Sequence, residues 1–160
     1  MAILLFMQAL PHIYSVTAAS AGTSIVDLTA KGLPRLRSAA PAEFGGPGDQ
    51  WSPESLLTAA IASCFVLGFR AVARASHLQW ISLDCDVDAT LDRKEHVTQF
   101  TKVIVHARLI VPAAMDSALC ERVLEKAERS CLVANSLRCE RELRIEIAKT
   151  ADVQRERALA

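Results

Sequence analysis

SPESLLTAAIASCFVLGF, residues 52–69, is apolar almost all the way round a helix and carries a thiol, Cys64, near its middle. Ser52 is suited to cap the helix, Pro53 to open it, and Glu54 to favour its first turn. The pattern predicts a helix to about Ser76, with Arg70 and Arg74 in the later turns, where cations suit the dipole. A helix without a polar face has to be buried on several sides. A small monomer supplies such burial poorly, whereas an intertwined dimer supplies it easily. Its Ala and Ser content reads as a buried soluble helix, although no other stretch comes as near the ~20 apolar residues of a membrane span.

Strand patterns lie on either side of this helix. Upstream, HIYSVTA (12–18), SIVDLTA (24–30) and the short PRLRSA (34–39) read as strands, followed by the Gly/Pro-rich loop PAEFGGPGDQW. Downstream, SLDCDVDATL alternates, with Leu83, Cys85, Val87, Ala89 and Leu91 on one face and Asp84, Asp86 and Asp88 on the other. DRKEHVTQ reads as a polar turn, and FTKVIVHARLIV as a strand ended by Pro112. A helix from about Ala114 to Ser130 places Leu119, Cys120, Val123, Leu124, Ala127 and Cys131 on one stripe. Asn135 and Ser136 mark a break or a fresh helix start, and LRCERELRIEIAK reads most simply as a last strand. Such segregated runs indicate an α+β fold.

The 160 residues balance 18 Lys+Arg against 18 Asp+Glu, with no basic block and 5% aromatics, which argues against a nucleic-acid partner. The opening MAILLFMQALPH lacks the basic start of a signal peptide, the first Lys or Arg being Lys31. The expectation is a cytoplasmic, single-domain protein without a membrane partner. Residues 1–11 are expected to form an extension outside the fold, residues 12–150 the domain, and residues 151–160 a tail.

Five cysteines (64, 85, 120, 131 and 139) with no CxxC fit neither a disulfide framework nor a zinc site. Cys85, Cys120 and Cys139 fall among apolar residues and read as small core residues. For Cys64 and Cys131, pattern alone leans to packing and leaves chemistry open. Glu54 is explained by its helix start, and its ten-residue offset from Cys64 means about 15 Å along the axis and roughly 80° of rotation. One straight helix cannot bring the two side chains into a single site, but a partner chain can.

EFGGPGDQWSPESLLTAAIASCFVLGF together with AERSCLVANSL resembles the OsmC/Ohr family of thiol-dependent peroxidases, in its broad OsmC-like branch, over about His12 to Ile147. The resemblance implies an intertwined α+β homodimer whose mixed sheets wrap a long buried helix. It also implies Cys64 as peroxidatic thiol, Cys131 as resolving thiol and Glu54 as site carboxylate. The substrate would be a hydroperoxide, organic if Ile61, Phe65 and Leu67 surround the thiol. An external dithiol would be the reductant, and no metal or organic cofactor is required. The family's early-strand arginine has no counterpart in AASAGTSIVDLTA; Arg35 and Arg37 lie in the next segment as possible activating cations. That departure favours a second reading, a redox sensor or ligand-binding dimer with little turnover. Acyl transfer by Cys64 with His77, His96 or His106 ranks third, because no histidine is placed near Cys64 by sequence.

Overall fold

A computed structural model describes residues 9–22 and 24–150. Most of the expected N-terminal extension and the whole tail 151–160 lie outside the described residues. The chain forms two compact units, meeting in sequence at Leu57/Thr58 within one continuous helix.

The N-terminal unit is an antiparallel sheet in the order β1 (Thr17–Ala19), β2 (Ile25–Thr29), β3 (Leu36–Ala39). The first strand is far shorter than the alternation of residues 12–18 predicts. Ile13, Tyr14 and Val16 are all exposed here, so the segment has no apolar surface to be held against in its own unit. After β3 the chain turns through a 3-10 segment, Ala42–Phe44, into the Gly/Pro loop. Gly46 is required there: a Cβ would sit 1.6 Å from the Ala40 carbonyl oxygen. Ser52 then caps α1 (Pro53–Ala75) as expected, through a reciprocal box. Ser55 N–H donates to Ser52 Oγ at 3.1 Å, and Ser52 N–H donates to Ser55 Oγ at 2.8 Å.

The helix stops as the sequence predicts, but with an unforeseen device. His77 adopts φ 54°, the left-handed conformation usually left to glycine. Leu78 N–H reaches back to the Ala73 carbonyl at 2.9 Å and His77 N–H to that of Arg74 at 3.2 Å, satisfying two end carbonyls.

The second unit is a mixed sheet in the order β4 (Ser82–Lys94), β5 (Val97–Val111), β6 (Glu140–Lys149). β4 and β5 extend deep into the stretch expected to be a turn. Only Glu95 and His96 connect them, both at positive φ, which matches the twist a two-residue hairpin needs. β6 runs parallel to β5, so a crossover joins them: α2 (Ser117–Arg129) and the one-turn α3 (Leu132–Asn135).

Strand alternation sorts the two faces. Val103, Val105, Ala107, Leu109 and Val111 are buried, with Leu83, Cys85, Val87, Leu143, Ile145 and Ile147 beside them. Against this face pack Ile61, Phe65, Phe69 and Val72 of α1 and Cys120, Val123, Leu124 and Ala127 of α2. The opposite face carries charges in pairs, such as Lys102 with Glu140 and Glu142, His106 with Asp88, and Arg108 with Asp84.

α1 is where sequence and single chain part company. Its apolar window, of mean hydropathy 1.9, is only 28% buried. Ile61, Phe65, Phe69, Val72 and Ala73 enter the core, while Leu67 remains 59% exposed. The helix is thus long and apolar enough to cross a membrane, and much of its apolar surface is open in one chain.

Candidate functional site: a paired thiol beneath the sheet

At about 100° per residue, Cys64 falls on α1 between the core-facing Ile61 and Phe65 and the open Ala60 and Leu67. It is half-buried, at the edge of the core. Cys131 is not on the stripe of the preceding helix, as its spacing suggested. α2 ends at Arg129, and Cys131 is the N-cap of α3, 2% exposed. Its Sγ points at the Ile61 carbonyl on α1, 4.0 Å away, one turn before Cys64.

The structure therefore brings these two thiols together across 67 positions of sequence. Burial pushes the Cys131 thiol up from an ordinary 9.0 to about 11, and the adjacent Cys64 thiol pushes the same way by hydrogen bonding and charge. Backbone N–H groups of Ala134 and Val133, in the first turn of α3, pull it back. Cys85, on β4, is likewise raised to about 11, by burial first and then by the charges of Asp86 and Cys131. Among the described residues no group of three or more His, Cys, Asp or Glu is placed to hold a metal ion.

A thiol held up in this way reacts as thiolate only in proportion to pH. Below its folded value each pH unit raises the thiolate tenfold. Alkylation of Cys131 by iodoacetamide, followed by peptide mass spectrometry, should therefore accelerate about tenfold per pH unit from 7 to 10 and level off only near 11. A plateau near 9 would show a thiol titrating at its ordinary value and contradict the burial described.

The other sequence candidates lie on other parts of the chain. Glu54 is half-buried in the first turn of α1, about 15 Å along the helix from Cys64. Arg35 and Arg37 stand in the N-terminal unit beside β2. Arg35 pairs with Asp27 at 3.4 Å, and Arg37 faces Asp27 across the ladder. The three histidines lie on other elements. His77 caps α1, His96 sits in the hairpin turn, and His106 pairs with Asp88 on the sheet face turned away from the helices. The apolar surround expected for Cys64 is in part the core itself. Ile61 and Phe65 are sealed in the core, lining with Cys131 a cleft of about 10 Å³, room for at most one water. Leu67 alone of the three stays open.

One functional candidate went unread in the sequence. Arg141 lies on the inward face of β6, at the parity of Leu143, Ile145 and Ile147, and lines the same cleft with Glu128. The signal was legible: a cation at the inward position of an otherwise apolar alternation needs a partner.

A profile of the OsmC-like protein family matches residues 46–147. An uncharacterized protein, YmaD, of Bacillus subtilis is 26% identical over 109 residues, covering 66% of this chain and 73% of that protein. The organic hydroperoxide resistance protein of Xanthomonas axonopodis pv. citri is 31% identical over 99 residues, 61% of this chain and 68% of that one. The peroxiredoxin OsmC of Escherichia coli is 27% identical over 89 residues, 56% of this chain and 62% of that one. Among solved structures, an OsmC-like protein of unknown function from Vibrio cholerae superimposes with a TM-score of 0.78 at 17% identity, covering 84% of this chain and 99% of that one. With a profile match over most of its length and this shared α+β architecture, the chain belongs to the OsmC-like family.

Proposed function

We propose that the protein is a thiol-dependent hydroperoxide reductase, and the observation that carries this reading is the contact between Cys64 and Cys131. The half-buried Cys64 is the attacking group. Its thiolate displaces alkoxide from the O–O bond, forming an S–O bond, and the alkoxide leaves as alcohol after taking a proton. Cys131 sulfur then attacks the Cys64 sulfenic acid. The S–S bond forms as the S–O bond breaks, and hydroxide leaves as water with the Cys131 proton. An external dithiol reduces the disulfide by exchange. The names of two relatives, organic hydroperoxide resistance protein and peroxiredoxin, support the substrate class. The five free cysteines suit a reducing compartment such as the cytoplasm.

The same reading includes a homodimer. The open apolar surface of α1 requires cover, and a second copy supplies it with two-fold symmetry. Glu54, Arg35 and Arg37 then serve as a site carboxylate and possible activating cations.

Peptide mapping after one equivalent of cumene hydroperoxide tests the assignment. The expected product is a 64–131 disulfide with Cys85, Cys120 and Cys139 reduced; a 64–85 or 120–131 linkage would refute it. The engagement of Arg35 with Asp27 favours a second reading, a sensor that oxidises once and turns over slowly. Steady-state consumption with dithiothreitol separates the two. Many equivalents per chain mark the reductase, and a single equivalent marks the sensor.

A further inference from the structure

Cys131 occupies a joint. α2 ends two residues before it, and the four-residue α3 begins one residue after it. A single helical turn has little stability of its own. Cys131 N–H donates to the Glu128 carbonyl at 3.1 Å, and Asn135 N–H donates to the Cys131 carbonyl at 2.9 Å. Across this joint reaches one side chain from β6. Arg141 Nη1 donates to Asn135 Oδ1 at 2.6 Å, and its Nε lies 3.5 Å from Glu128 Oε1. Asn135 Nδ2 in turn donates to the Arg129 carbonyl at 3.0 Å. The circuit thus ties the last turn of α2 to the end of α3 through a guanidinium.

The anchor itself is built into the sheet. Arg141 is paired with Val103 in the β5–β6 ladder, and its side chain and that of Glu128 are only 31% and 18% exposed. Such a fork suits arginine because its planar donors meet two acceptors in fixed directions. Its charge is matched by Glu128 rather than offered to the thiol.

We infer that Arg141 is a positioning residue for disulfide closure: it holds the Ser130–Asn135 segment so that Cys131 stays against Cys64. This rests on the thiol pair acting as the redox couple proposed above. Closure is intramolecular, so its rate depends on how much of the time the two sulfurs are in attacking geometry. Attack on peroxide by Cys64 needs no part of the joint. Loosening the joint should therefore slow the second step alone and leave the sulfenic acid open to a second peroxide, which oxidises it to sulfinic acid.

The test compares unaltered protein with Arg141→Ala, Arg141→Lys and Asn135→Ala, the last removing one arm of the circuit while leaving the ion pair. Reduced protein is mixed with cumene hydroperoxide, quenched with dimedone and an alkylating reagent, and followed by mass spectrometry. In Arg141→Ala, sulfenic acid should form within about twofold of the normal rate. Disulfide should form about tenfold or more slowly, with sulfinic acid accumulating. Arg141→Lys and Asn135→Ala should fall between. Diamide, which joins two thiols without peroxide, gives closure its own readout: a thiol adds to diamide, and the second thiol displaces the hydrazine. The slowed closure should recur there. If unaltered protein ignores peroxide but diamide closure is slow in Arg141→Ala, the peroxidase reading fails and the positioning role stands. Normal closure in all variants overturns the role. So does a fall of attack and closure in equal proportion with a lowered Tm, which marks a merely structural residue. So does an unaltered protein that diamide cannot close between Cys64 and Cys131.

Discussion

Cys64→Ser should abolish hydroperoxide consumption, whereas Cys131→Ser, without added reductant, should consume one or two equivalents per chain and stop. The asymmetry follows from the positions of the two thiols. Cys64 lies at the edge of the core, and Cys131 is sealed beside the Ile61 carbonyl with its thiol raised to about 11. A serine hydroxyl is not ionised near neutral pH and does not open an O–O bond. The loss should reach about a thousandfold or more, which is about 4 kcal/mol of barrier. Cys131→Ser removes no attacking group. It leaves the sulfenic acid without an internal partner, so mass spectrometry of the spent variant should find Cys64 as sulfenic or sulfinic acid. Peroxide consumption measured over the first equivalent and then at steady state distinguishes the two variants. Equal loss in both, with no oxidised Cys64 trapped, would reject this division of labour.

Leu67→Glu should break the homodimer proposed above. Within one chain Leu67 is 59% exposed, and such a surface change should alter monomer stability by only about 0.5 kcal/mol. Under a partner the same carboxylate is desolvated without a cation, at a cost of about 3 kcal/mol or more. That is about a hundredfold or more in the dissociation constant. The open apolar surface of α1 leads us to expect an interface above about 2,000 Å², as in obligate dimers. Sedimentation analysis should therefore show unaltered protein as a dimer and Leu67→Glu as monomer or unfolded chain. A dimer of unchanged affinity would mean that the open face of α1 is covered by something else.

Much of this architecture was written locally. Ser52, Pro53 and Glu54 mark the start of α1 because capping acts within one turn, and Ser55 completes the box three residues on. The alternation of residues 82–91 placed Cys85 inward and the three aspartates outward, since strand side chains alternate by geometry alone. The motif residues around Cys64 and Cys131 pointed to the OsmC-like family that the profile match establishes.

Other features depended on contacts between distant segments. The alternation of residues 12–18 produced a strand only at Thr17–Ala19, where β2 offers backbone partners. The hairpin turn contracted to Glu95 and His96 because pairing along β4 and β5 outweighs the polarity of DRKEHVTQ. Periodicity assigned Cys131 to the stripe of the preceding helix, yet it lies beyond the helix end, where the chain bends to enter β6 in parallel with β5. Arg141 shows the same limit at the site. Its inward parity could be read from ERELRIE, but its partners, Glu128 and Asn135, are chosen by the packing of the crossover against the sheet. Local sequence determines where elements begin and which way their side chains face. Only the folded chain decides which thiol meets which, because that depends on burial energy summed over segments far apart in sequence.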